Sequence, residues 1–245
     1  MATNATFRIW RGDSNGGTYQ DFSTPAEEGM VVLDAVHRIQ AQQAQDLAVR
    51  WNCKAGKCGS CSAEINGMPK LMCMTRLSDL DLATPVKLEP MHAFPVIRDL
   101  VTDVSWNFRA KTTIKQFKPR SPDLPDGTWR VQQADVERVQ EFRKCIECFL
   151  CQDVCHVLRE HHKHDEFIGP RLLVYAAALE MHPLDIEDRV TDLRRKHNIG
   201  YCNITTCCRQ VCPESITITE NAIIPLKERV VDRFFDPLKE LFHIL

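Results

Sequence analysis

The strongest constraint on this chain is the stretch Cys145-Ile-Glu-Cys148-Phe-Leu-Cys151-Gln-Asp-Val-Cys155. Three thiols each separated by two residues, with a fourth after three more, form the run that wraps iron-sulfur clusters, because one tight loop must bring several thiolates onto neighbouring irons. In such runs the fourth cysteine ligates a different cluster from the first three, so a second thiol group is required elsewhere. It is present as Cys202-Asn-Ile-Thr205-Thr-Cys207-Cys208-Arg-Gln-Val-Cys212-Pro213.

The second run reads as an edited copy of the first. Cys202, Cys208 and Cys212 fall on Cys145, Cys151 and Cys155, and Thr205 falls where the first run has Cys148. Cys145, Cys148, Cys151 and Cys212 then complete the ligand set of a 4Fe-4S cluster. Cys155, Cys202 and Cys208 leave one corner of a cuboidal cluster without a protein ligand, which suits a 3Fe-4S cluster. Cys207 is left over as a thiol in a crowded loop. It could stand in for Cys208, but only Cys208 leaves the three-residue gap before Cys212 that the first run also has.

A third group lies earlier: Cys53-Lys-Ala-Gly-Lys-Cys58-Gly-Ser-Cys61, with Cys73 twelve positions on. This is the plant-type spacing that holds a 2Fe-2S cluster. Gly56 and Gly59 let backbone amides approach the sulfurs, where hydrogen bonds tune the reduction potential. A four-cysteine zinc site would show two separated Cys-x2-Cys pairs, which these thiols do not form. Four, four and three ligands account for eleven of the twelve cysteines.

Twelve cysteines also raise the question of disulfides, which belong to oxidising compartments. The stretch from Met1 to Thr18 lacks the basic start, apolar core and cleavage site of a secretory signal, so the thiols are expected to be reduced and available to metal. A net charge of −2, with charges mixed along the chain, points away from nucleic acid. No run approaches the roughly 18 to 20 apolar residues that cross a bilayer, so any membrane attachment is expected through another chain.

The expected fold class is α+β. Ala5 to Trp10 and Thr18 to Phe22 read as strands joined by the glycine-rich turn from Gly12 to Gly17. Thr24, Pro25 and two glutamates suit a helix start, with Val32, Leu33, Val36 and Ile39 at helical spacing. Ser62 to Ile65, the turn Asn66-Gly67, a strand to Met72 and another at Val86 to Glu89 complete a β-grasp layout of the plant-type ferredoxin kind. Three prolines and a glycine between Phe117 and Gly127 mark a linker. Beyond it, Ala134 to Lys144, Arg171 to Met181, Ile186 to Lys196 and Leu226 to Phe242 read as helices. The expected domains are residues 1–105 for the 2Fe-2S domain, 106–130 for the linker, and 131–245 for an all-α, bacterial-ferredoxin-like domain with the other two clusters.

Together with the phrase Phe94-Pro-Val-Ile-Arg-Asp-Leu-Val-Thr-Asp103, the three thiol groups closely resemble the iron-sulfur subunit of succinate dehydrogenase and quinol:fumarate reductase. The resemblance covers nearly the whole chain, and the order 2Fe-2S, 4Fe-4S, 3Fe-4S with one thiol replaced in the last run is its hallmark. It implies electron transfer from a flavoprotein subunit with covalent FAD and the dicarboxylate site to quinone at one or more membrane-anchor subunits. It also implies a peripheral position on the cytoplasmic face of the cell membrane. No residue of this chain is expected to be catalytic.

Many family members carry proline after the fourth cysteine of the first run, where this chain has His156. Ubiquinone-reducing relatives place a histidine where this chain has Asn203 and a tryptophan where it has Glu160. The resemblance therefore leans toward menaquinone, with His156 in the vicinity of the quinone. His156, His161, His162 and His164 could relay protons there, or form a solvated polar loop. The alternatives are a fumarate reductase running mainly in reverse, the iron-sulfur subunit of another flavoprotein dehydrogenase, which Thr205 argues against, or a metal-binding structural module.

Overall fold

The computed structural model describes residues 3–236, which group into two compact units. The first comprises residues up to Ser105 together with Ile146–Cys155 and Val211–Pro213. The second comprises Trp106–Cys145, His156–Gln210 and the residues from Glu214 onward.

The first unit is built on a seven-stranded mixed sheet. Strands β1 (Thr3–Asp13) and β2 (Gly16–Ala26) form a long antiparallel hairpin paired from Thr3 with Ala26 to Asp13 with Gly16. Strands β3 (Ser62–Ile65) and β4 (Met68–Leu71) form a second hairpin, and β5 (Val86–Glu89) joins the two, antiparallel to β3 and parallel to β1. Helix α1 (Val32–Gln42) packs on β2 and buries Val32, Leu33, Ala35, Val36 and Ile39, an apolar stripe at helical spacing. Ala5, Phe7 and Ile9, alternating along β1, are wholly buried, as period-two patterning requires of a strand with one face in the core.

Several details depart from the sequence expectation. The helix does not start near Thr24: Pro25 and Ala26 continue β2, and α1 begins at Val32 after a glycine-containing turn. Pro25 is tolerated because β2 pairs with β1 alone, so its missing N–H interrupts no second ladder. The first turn is also shorter than Gly12 to Gly17. Gly12 and Gly17 pair with each other inside the ladder, and an added Cβ on Gly12 would come within 2.3 Å of the Gly16 carbonyl oxygen. Two short strands were not anticipated, β6 (Val96–Arg98) and β7 (Val101–Thr102), which form a tight hairpin whose Arg98 pairs with Asp13.

The second unit is helical. Helix α2 (Ser105–Lys111) starts at the boundary, and α3 (Gln133–Gln140) runs into a 3-10 turn at Glu141–Lys144. Two four-residue helices follow, α4 (Leu150–Asp153), which belongs to the first unit, and α5 (His156–Arg159). The core helix is α6 (Gly169–Glu180), buried along most of its first three turns, with α7 (Val190–Arg195) beyond it. After the one-turn helix α8 (Cys207–Gln210), a π-helical turn at Ile218–Ile223 packs against α6 and leads into α9 (Ile224–Phe234). Helix α7 starts later than Ile186, and the part of the expected last helix from 237 to 242 lies outside the described residues. Pro119 in the expected linker forms a bridge to Asp185.

Candidate functional site

All twelve cysteines are thiols rather than disulfides. Among the described residues, no three His, Cys, Asp or Glu side chains converge closely enough to hold a single metal ion. The first thiol group lies on the loop between α1 and β3. Lys54, Gly56 and Gly59 all adopt left-handed backbone angles, so the loop curls tightly and its amides turn inward. The amides of Ala55 and Lys57 point at the Cys53 sulfur at 3.4 and 3.3 Å, that of Cys53 at the Cys58 sulfur at 3.4 Å, and that of Cys73 at the Cys61 sulfur at 3.4 Å.

Amide donors aimed at sulfur suit thiolates, so this donor set fits a cluster held by Cys53, Cys58, Cys61 and Cys73. The thiols differ in their surroundings. Burial opposes ionisation of Cys58, but hydrogen bonds from Ser60 and Cys53 outweigh it and bring the thiol down to about 6. Burial pushes Cys61 up to about 12.

The two later runs share one backbone course. Each begins after a 3-10 turn, at Glu141–Lys144 and at Ile199–Tyr201, and its first cysteine is extended, Cys145 at φ −64, ψ 117 and Cys202 at φ −72, ψ 114. Two residues on, Glu147 and Ile204 are left-handed at φ 55 and 60; two further on, Phe149 and Thr206 are left-handed at φ 62 and 60. A one-turn helix follows in each, with Cys151 second in α4 and Cys208 second in α8. Cys148 and Thr205 therefore sit at equivalent points, each between two left-handed residues.

None of these four residues is glycine, and Ile204 and Thr206 are β-branched, so the conformation is strained. Alternating backbone angles of this sort turn successive N–H groups toward one side and make an anion-binding concavity, which fits a loop that must wrap a negatively charged cluster. Thr205 does not stand alone, since its hydroxyl contacts the Cys207 sulfur at 3.3 Å. Lys227 donates to the Cys202 carbonyl at 2.6 Å, and Cys208 lies 3.8 Å from the Thr219 hydroxyl.

A domain model for 2Fe-2S iron-sulfur cluster binding matches residues 6–109, and one for a 4Fe-4S dicluster domain matches residues 141–216. The fumarate reductase iron-sulfur subunit of Mycobacterium tuberculosis is 34% identical over 204 residues, covering 81% of each chain. A chain of the Mycobacterium smegmatis Sdh1 complex in the apo form is 56% identical and superposes with a TM-score of 0.93 over 97% of this chain and 100% of its own. This chain belongs to the iron-sulfur subunits of succinate dehydrogenase and fumarate reductase. The fumarate reductase iron-sulfur subunit of Escherichia coli O157:H7 is a more distant member, 29% identical over 198 residues, with 80% of this chain and 79% of its own covered.

As a member of that family the chain is a subunit of a quinone-linked oxidoreductase, with the α+β, two-ferredoxin fold the sequence implied. No helix among the described residues is long and apolar enough to cross a membrane.

His156 meets His161 edge-on with ring centres 6.0 Å apart, while His164 packs edge-on against Trp106 at 4.8 Å. Sequence reasoning missed Lys227 and the left-handed residues around Cys148 and Thr205. Glu, Phe, Ile and Thr carry no signal for that backbone conformation, and only the matched spacing of the two runs points to a shared course.

Proposed function

We propose that this subunit conducts single electrons from covalent FAD on a flavoprotein partner to menaquinone at a membrane anchor, through three clusters. Cys53, Cys58, Cys61 and Cys73 hold the 2Fe-2S cluster, Cys145, Cys148, Cys151 and Cys212 the 4Fe-4S cluster, and Cys155, Cys202 and Cys208 the 3Fe-4S cluster. When bound, the clusters supply the one-electron chemistry that links a two-electron flavin to a two-electron quinone.

The chain's own work is to hold and tune. The amides of Ala55, Lys57 and Cys73 donate to cysteine sulfurs, which favours the more negative, reduced state and so raises the potential of the first site. The observation that carries the three-iron assignment is the shared backbone course of the two runs, with Thr205 where the first run has Cys148.

Attachment to the cytoplasmic face of the membrane is through the anchor, with His156 near the quinone. The favoured direction is succinate oxidation, in keeping with the likeness to the Sdh1 chain. The names of the relatives from Mycobacterium tuberculosis and Escherichia coli favour a second reading, net fumarate reduction.

Low-temperature EPR of the native complex tests the wiring. Oxidised protein should show a three-iron signal, and succinate should raise a 2Fe-2S signal. Two four-iron signals without a succinate response would assign the chain to another dehydrogenase, and colourless protein with stoichiometric zinc would end the electron-transfer reading. Comparing succinate-driven menaquinone reduction with menaquinol-driven fumarate reduction in membranes decides the direction.

A further inference from the structure

Within the first unit, the loop carrying Cys53 to Cys61 lies directly against the segment carrying Cys148. Gly59 is left-handed at φ +66, and an added Cβ there would stand 2.6 Å from the Cys148 Cα and 2.8 Å from its nitrogen, so only a residue without a side chain permits this approach. The Ser62 hydroxyl, 86 residues away from Cys148 in sequence, lies 2.9 Å from the Gly59 carbonyl oxygen and 2.8 Å from that of Cys148. Ser62 follows Cys61 directly and is only 6% exposed.

A hydroxyl has one proton to donate, so Ser62 shares it between the two carbonyl acceptors. The segment is also held elsewhere: the Ala93 amide donates to the Asp153 carboxylate at 2.8 Å, and Phe94 meets Phe149 edge-on at 6.3 Å. Those contacts grip Phe149, next to the cysteine, and Asp153, at the end of α4. Ser62 grips the segment at the cysteine itself.

We propose that Ser62 is a positioning residue for electron transfer: its hydroxyl clamps the Cys148 backbone to the Gly59 backbone and thereby sets the coupling between the 2Fe-2S and 4Fe-4S clusters. The proposal rests on the ligand assignment of Cys61 and Cys148 given above. With alanine at this position, both of the hydroxyl's contacts, to the Gly59 and Cys148 carbonyls, are lost, and removing a buried hydrogen bond loosens the link between the two segments. Neither cluster loses a ligand. What changes is the spacing and rigidity of the path between them.

The test uses the full-length, cluster-loaded protein reduced with dithionite, comparing wild type, Ser62→Ala and Ser62→Thr. In Ser62→Ala, iron content and the separate cluster spectra should persist, while the spin-relaxation enhancement between the two reduced clusters weakens. Amide exchange at residues 59–62 and 148–150 should accelerate by several-fold to about tenfold, the range one ordinary hydrogen bond gives. Ser62→Thr, which keeps the hydroxyl, should restore both readouts.

Unchanged relaxation and exchange in Ser62→Ala would overturn the proposal. If Ser62→Ala instead loses a cluster, Ser62→Thr must regain it, and failure to do so also overturns it. Cys61→Ser and Cys148→Ser separate the underlying assignment from the clamp. Loss of the corresponding cluster signal in each, alongside an inert Ser62→Ala, removes the clamp alone. Unchanged cluster signals in both cysteine variants would remove the ligand assignment itself.

Discussion

Arg189 Nη2 donates to Asp185 Oδ2 at 2.8 Å, and both side chains are almost wholly shut off from solvent. The same guanidinium donates to the carbonyls of Lys115, Gln116 and Glu187 at 2.8, 2.8 and 3.0 Å. One buried cation thus ties the segment after α2 to the loop between α6 and α7. A guanidinium suits this role because its fork of donors can meet several acceptors at fixed angles without losing its charge.

Arg189→Met should be severely destabilising, since it leaves the Asp185 carboxylate buried without its cation and orphans three carbonyls. The expected loss is about 3–5 kcal/mol. Urea-driven loss of visible absorbance by the cluster-loaded protein would read it as a large fall in midpoint. A midpoint near wild type would show that the site relaxes or admits water.

Asp99 plays a comparable part in the first unit. It stands at φ +47 in the β6–β7 turn, a conformation that Asp and Asn tolerate better than most residues. Its carboxylate accepts from the amides of Gly12 at 3.0 Å and Ala48 at 2.8 Å and pairs with Arg11 at 3.1 Å. Asp99→Ala should cost about 1.5–3 kcal/mol, the range for hydrogen bonds to a charged group, and Asp99→Asn less. Equal losses in the two variants would assign the effect to charge rather than to the hydrogen bonds.

Glu141 gives the stability a pH dependence of known sign. Burial opposes its ionisation, but hydrogen bonds from Asn221 and Thr217 outweigh that and hold the carboxyl below its ordinary range. The contacts are 2.6 Å from the Asn221 amide and 2.5 Å from the Thr217 N–H, at the entry to the π-helical turn. A carboxylate depressed in the folded state adds stability above its unfolded value, and that stability disappears as pH falls through the folded value. Wild type should therefore lose its advantage over Glu141→Gln as the pH drops below about 4.3. Parallel unfolding rates of the two proteins from neutral to acidic pH measure the difference, and a constant gap would sink the assignment.

Thr205→Cys tests the third site. A thiol placed between the left-handed residues Ile204 and Thr206 would stand where Cys148 stands between Glu147 and Phe149. The expected result is a four-iron centre in place of the three-iron one, with loss of the oxidised-state EPR signal and a lower potential. An unchanged spectrum would count against the alignment of the two runs and leave Cys207, now hydrogen-bonded to Thr205, as the thiol to examine.

The elements that were legible in the sequence depend on near neighbours. Strand β5 is found where it was expected, at Val86–Glu89, and Asn66-Gly67 makes the turn between β3 and β4 with both residues at positive φ. The start of α1 was misplaced because proline and two glutamates after a threonine look the same whether they open a helix or close an edge strand. Only the pairing of Pro25 with Asn4 distinguishes the two. The β6–β7 hairpin was missed because strands of three and two residues are too short to show a period, and they exist through Arg98 pairing with Asp13 and Asp99 bonding to Gly12.

The sequence by itself determined the thiol spacings, and with them the cluster types expected, because the reach of a cysteine onto a cluster is set by a few intervening residues. It could not determine that Glu147, Phe149, Ile204 and Thr206 would take left-handed angles, since their side chains disfavour that conformation and only the surrounding structure imposes it. Nor could it show that Ser62 would meet Cys148 or that Arg189 would be buried against Asp185 and three backbone carbonyls. Those contacts join residues far apart in the chain, and their free energy exists only once packing has excluded water from them.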